Sequence, residues 1–108
     1  ALMSRVDVVA AIRHKYMEDK VLGPIVKNPR DYQDYVYEDR LMRVKCGDTN
    51  VLCIPDVTIE GKCVQGIIID EAHSLLAHLG TRKTLDYLRG QVWWKDMTNE
   101  VDKFCESC

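Results

Sequence analysis

The sequence has no apolar run near the ~18 residues that a membrane-spanning helix needs. It also lacks a charged-then-apolar leader of the kind that directs secretion, any internal repeat, and any low-complexity tract. These absences predict an intracellular chain with no membrane partner. A strong charge of either sign is missing too: the net charge is −2. Residues 1–61 carry nine Lys/Arg against ten Asp/Glu, and residues 62–108 six against seven. Neither half is a basic domain, so any contact with nucleic acid must come from a local patch. The five cysteines (46, 53, 63, 105 and 108) are odd in number and come without signs of secretion, so a disulfide framework is disfavoured. Cys46, Cys53 and Cys63 lie among apolar strand-like or loop residues and read as small buried hydrophobes. At 108 residues, 46% hydrophobic and 30% charged, the chain is one domain, or one with a small appendage. A core of that size is often supplemented by a metal or a partner chain.

Local patterns divide the chain. Ser4 followed by Asp7 makes a capping start, and Val6, Val9, Ala10, Arg13, Tyr16 and Met17 recur at helical spacing, predicting a first helix over about 5–18. Asp19 is placed to cap a second short helix through "KVLGPIVK", which Asn28-Pro29 stops. "YVYEDRLMRVK" and "VLCIP", separated by the turn-forming "CGDTN", predict a three-stranded meander ended by Pro55. From there the texture is helical. Val64, Ile67, Ile68, Glu71 and Ala72 follow an amphipathic pattern that Gly66 weakens by about 1 kcal/mol. Thr81 can cap a following helix carrying Leu85 and Leu88, closed by Gly90. "QVWW" is expected to cross to a last helix, opened by Asp96 or Thr98, with Met97, Val101 and Phe104 as its buried stripe.

Two residue pairs carry chemistry. His73 and His78 would lie roughly 140° apart on a continuous helix, so sharing a metal requires a break between them. The helix before His73 runs out close to it and Gly80 marks a turn, which supplies that break. Cys105 and Cys108 stand at i, i+3 near a helix terminus, where two thiols can share one ion. Two imidazoles and two thiolates suit tetrahedral zinc, and the thiolates neutralise the dication. With four protein ligands the ion has no open position, so the predicted cofactor is one structural Zn²⁺. Redox-active CxxC pairs sit at helix N-termini, where the dipole favours thiolate, whereas this pair falls at a helix end.

"GTRKT" lacks the preceding strand and Gly-Lys adjacency of a phosphate loop. Arg82, Lys83 and Arg89 instead gather positive charge on the middle helix, a cluster that is otherwise a solvated face. Trp93 and Trp94 read as core between two short helices, with Ile68, Leu85, Leu88, Met97, Val101 and Phe104. His14 reads as a surface residue.

The segment "EAHSLLAHLGTRKTLDYLRGQVWWKDMTNEVDKFCESC" resembles the His-His-Cys-Cys zinc domain of integrases from gypsy-class LTR retrotransposons and, more distantly, retroviruses. That family's pattern is a His pair ending in H-x-G-x-x-K-T, a leucine-bearing helix, an aromatic-Trp-x-x-Met link and C-x-x-C. It is matched at His73, His78, Gly80, Lys83, Thr84, Leu88, Trp93, Trp94, Met97, Cys105 and Cys108. Ala77 stands where many relatives have Gly, and Lys95 where many have Pro; neither departure touches a ligand. The resemblance covers 62–108. Residues 20–56 resemble the segment that precedes this domain in fungal gypsy-type polyproteins, which implies an N-terminal extension like that of gammaretroviral integrases.

The expected architecture is therefore α+β. A helix or linker over 1–18 leads to an extension over 19–61, a short helix plus a three-stranded antiparallel meander. A zinc-stapled three-helix domain follows over 62–108. The resemblance implies a module with no catalytic residues, acting in the nucleus during insertion of element DNA. The catalytic core is expected elsewhere in the parent chain. The implied partners are that core, further copies of the chain, and the LTR-end DNA, with Arg82, Lys83, Thr84 and Arg89 as contact candidates. A host-domesticated descendant used only for protein–protein contact would share the same zinc fold. An autonomous enzyme would require either a low-pKa Cys105 thiol or an open zinc position.

Overall fold

A computed structural model of the chain describes residues 8–75 and 81–107. The expected start of the first helix at Ser4 lies outside them. Helix α1 spans Val8–Ile12, and a separate 3-10 turn covers Tyr16–Glu18. The expected helix over 5–18 is thus interrupted, and its buried stripe is Val8, Ile12 and Tyr16 rather than Val9, Ala10 and Met17. The reason is tertiary. The Tyr16 hydroxyl donates to the Cys53 carbonyl at 2.7 Å, and its ring meets Tyr37 edge-on. That docking sets the phase of the whole segment.

Helix α2 spans Leu22–Lys27, with Pro24 in its first turn, where a missing N–H costs nothing. One Asp19 carboxylate oxygen accepts from the Val21 and Leu22 N–H groups at 2.7 and 2.8 Å. The other accepts from the Asp56 N–H at 2.7 Å. A single buried side chain therefore caps α2 and pins it to the segment after the sheet.

Strands β1 (Tyr35–Glu38), β2 (Leu41–Cys46) and β3 (Thr49–Cys53) pair antiparallel in sequence order. Asp39 and Arg40 both have positive φ, the type I′ geometry whose twist matches a hairpin. Gly47, at φ 63, opens the second two-residue turn. Strands β4 (Thr58–Ile59) and β5 (Lys62–Cys63) make a separate small hairpin.

Helices α3 (Val64–Leu75), α4 (Thr81–Arg89) and α5 (Met97–Ser107) follow. Val92–Trp93, expected to be a crossing, forms strand β6 and pairs parallel with β3, so the main sheet has four strands in the order β1-β2-β3-β6. Among the described residues no helix is long and apolar enough to cross a membrane. One apolar cluster runs from Val8 and Ile12 through Met42 and Ile54 to Ile68, Leu88 and Val101. In α3 the buried face comprises Val64, Gln65, Ile68, Ile69, Ala72 and His73. It is turned by about one residue from the expected stripe, because Gln65 Nε2 donates to the Ile54 carbonyl at 3.1 Å.

Candidate metal centre

The turned face of α3 carries His73 inward. Ile69 and His73, one helical turn apart, both point into the core, and His73 is 4% exposed. Facing it from α5 are Phe104, whose ring meets the imidazole edge-on with centroids 5.6 Å apart, and Cys105, whose Sγ lies 3.6 Å from His73 Nδ1. Of the four expected ligands, the structure brings together His73 and Cys105. His78 and Cys108 lie outside the described residues, and among the described residues no group of three or more His, Cys, Asp or Glu side chains converges on one point.

The chemistry of that pair bears on zinc. Zinc–sulfur and zinc–nitrogen bonds of ~2.3 and ~2.0–2.1 Å at a tetrahedral angle place two donors ~3.5–3.6 Å apart. The Sγ···Nδ1 separation of 3.6 Å is that distance. It is also within reach of a thiol–imidazole hydrogen bond. This pair fits a zinc ion, which His73 Nδ1 and Cys105 Sγ would hold as two of its donors.

The supports of this site come from the α4–α5 connection. The Trp94 indole N–H donates to the Glu100 carboxylate, tying the link to the first turn of α5. The Glu100 N–H donates to the Asp96 carbonyl at 3.1 Å, so α5 opens immediately after Asp96. Sequence reasoning took Trp94 as core and missed Glu100. An indole N–H that needs an acceptor when buried was the available signal. Of the expected core residues, Ile68, Leu85, Leu88, Trp94, Met97 and Val101 are buried, while Trp93 and Phe104 are half-buried against them.

The charged candidates sit differently. Arg82, Lys83 and Arg89 are exposed on α4. Arg89 Nη2 donates to the Thr98 hydroxyl at 3.3 Å, fixing its guanidinium beside α5. Thr84 requires a correction: it is fully buried, because it shares the inward face of α4 with Leu85 and Leu88, and its side chain is withdrawn from any ligand at the surface.

The remaining thiols also need correcting. Cys53 is fully buried as expected, but Cys46 and Cys63 are exposed at strand ends, Cys46 beside the Gly47 turn and Cys63 just before α3. Burial, reinforced by the nearby Asp19 carboxylate, pushes the Cys53 thiol up to about 12. A maleimide reagent at neutral pH should therefore label Cys46 and Cys63 in the folded chain and leave Cys53 untouched until denaturant is added. Mass spectrometry of labelled peptides reads this directly, and labelling of Cys53 alongside the other two would contradict the burial.

A search of curated proteins and a search of solved structures both returned no match to this chain. A family model does match. Residues 62–108, the segment that carries His73 and Cys105, match the integrase zinc binding domain.

Proposed function

We propose that this chain is the N-terminal zinc module of a gypsy-class retrotransposon integrase, carried within an element polyprotein and working in the nucleus. In this reading His73, His78, Cys105 and Cys108 hold one structural zinc. The observation that carries it is the His73–Cys105 donor pair at 3.6 Å inside the segment matched to the integrase zinc binding domain. Zinc, when bound, supplies a tie between α3 and α5 and no reactive position. The protein's own residues do the rest. Phe104 edges the His73 ring and holds its plane, and the Trp94–Glu100 bond seats the start of α5.

The role of the module is to hold element-end DNA and to bring copies of the integrase together. Arg82, Lys83 and Arg89 on α4 contact phosphates rather than bases, because they are cationic and few. Leu75, 59% exposed at the end of α3, offers an apolar contact for a second copy. In a chain of net charge −2, binding through three cations is weak and loses affinity with salt at a log–log slope of about −3. Changing Arg82 and Lys83 together to Glu should reduce duplex binding by about a hundredfold at low salt, each reversal working against phosphate attraction. Zinc content and helicity should be unchanged. Fluorescence anisotropy with a labelled LTR-end duplex measures it, and equal binding by parent and variant would remove α4 from the DNA interface.

A further inference from the structure

One face of the main sheet meets Tyr16 at one end and borders a cleft at the other. Register places Tyr35, Val44 and Val51 side by side on that face, and the alternation of β3 adds Cys53 with its partner Trp93. Tyr37 and Cys53 lie under Tyr16, which seals that end. Toward Tyr35 and Trp93 a cleft of about 590 Å³ opens between this end of the sheet and the start of α5. That volume falls within the ~300–1,000 Å³ range of sites for small ligands.

Two properties of the cleft specify a ligand. First, Tyr35 and Trp93 line it with ring centroids 5.8 Å apart, and Tyr32, outside the lining, extends the run beyond the rim by meeting Tyr35 edge-on at 6.3 Å. Tyr32 is 38% exposed and the other two rings are half-buried, so the run remains open to a planar partner. Second, the charge of the lining is opposite to that of the chain. Among its lining residues Lys45, Arg89 and Lys95 stand against the Asp96 carboxylate, with Asp34 near Tyr35 at the rim, whereas the chain as a whole is net negative. Rings for stacking beside cations for a backbone are what a single strand of nucleic acid uses. A duplex cannot use them, since its base faces are already stacked. An acidic peptide would satisfy the cations and leave the rings idle.

We infer that the cleft end of this sheet face, bounded by the Tyr32–Tyr35–Trp93 run and by Lys45, Arg89 and Lys95, binds a short unpaired stretch of nucleic acid. This site shares only Arg89 with the proposed α4 phosphate contacts, which otherwise run through Arg82 and Lys83, and it does not rest on the zinc reading. The bases stack along the rings and the phosphates follow the cations, with the Arg89 guanidinium held at the rim by Thr98.

The test uses the full zinc-loaded chain and fluorescein-labelled oligothymidylate of ten nucleotides, with a blunt ten-base-pair duplex as comparison. Three cations predict a log–log salt slope of about −2 for a single strand. The expected result is tighter binding of the oligothymidylate than of the duplex, with quenching of tryptophan fluorescence. Tyr32→Ala should weaken it about tenfold, as loss of one stacked base does. Tyr32→Phe should bind like the parent, because the ring and not the hydroxyl is used. Lys95→Glu should weaken binding and flatten the salt slope. Circular dichroism and zinc content, the same in all variants, keep a folding defect apart from a binding defect. If Tyr32→Ala binds as the parent does, or polyglutamate displaces the oligothymidylate equally from both, the cleft is a charge site for acidic chains and the inference is overturned. Duplex binding as tight as single-strand binding overturns it as well.

Discussion

Changing Cys105 to serine is expected to empty the proposed zinc site and release α5 from α3. A serine hydroxyl is a poor ligand for zinc, and one lost thiolate leaves the dication with an uncompensated charge in a buried place. Metal binding in small zinc modules contributes on the order of 10 kcal/mol of folding free energy, comparable with the whole net stability of a domain. The effect should therefore exceed that of any core truncation. Emission spectrometry should find about one zinc per parent chain and almost none in the variant. Hydrogen exchange should rise first in α5 and in the last turn of α3, where His73 loses its partner. The hairpin of β1 and β2 carries neither His73 nor Cys105 and should keep its protection longest. Cys46→Ser, at an exposed strand end, serves as the control and should retain its zinc. Full zinc content in Cys105→Ser would remove that residue from the ligand set.

The second large effect belongs to Asp19. Its carboxylate accepts three backbone N–H bonds, two from the start of α2 and one from Asp56, in a place 8% exposed to solvent. Alanine there strands three donors at once. Loss of a helix cap costs about 1 kcal/mol, and a buried unsatisfied donor about 1–3 kcal/mol, so Asp19→Ala should cost roughly 3 kcal/mol. Asparagine keeps one acceptor oxygen and should recover part of that. Urea melts of the two variants measure the difference. A loss under about 0.5 kcal/mol for alanine, the level of an ordinary surface change, would mean that water replaces the carboxylate without penalty.

How far the residues alone could lead is clearest in α3. Its existence was readable from the recurrence of Val64, Ile68 and Ala72, and those three are buried. Its phase was not readable, because a polar residue, Gln65, is drawn inward by the carbonyl of Ile54, a partner eleven residues away that no periodicity reports. The same rotation aims His73 at Cys105. The donor types and their spacing were visible in the sequence; the Phe104 ring against His73 was not, since an aromatic residue next to a cysteine has many fates. Tyr16 shows the same limit on the N-terminal side. An apolar run such as "VVAAI" fits several helical stripes, and a hydroxyl donating to the Cys53 backbone selects one of them. The two-residue turn at Gly47-Asp48 was legible because glycine beside a turn former has a local cause. The Val92–Trp93 strand was not legible, for two residues carry no alternation at all.

That short strand has a consequence for the order in which the chain can assemble. Leu52 pairs with Val92 and Cys53 with Trp93, so the sheet's last ladder joins positions about forty residues apart, with α3 and α4 between them. Contacts that close long loops form late, after the local hairpins and helices are in place. As the chain leaves the ribosome, β1, β2 and β3 can zip together while the outer backbone edge of β3 is still bare. Bare edges recruit other strands. The interval between synthesis of Cys53 and of Trp93 is therefore when this protein is most open to mispairing with a neighbouring copy, and the arrival of β6 ends it.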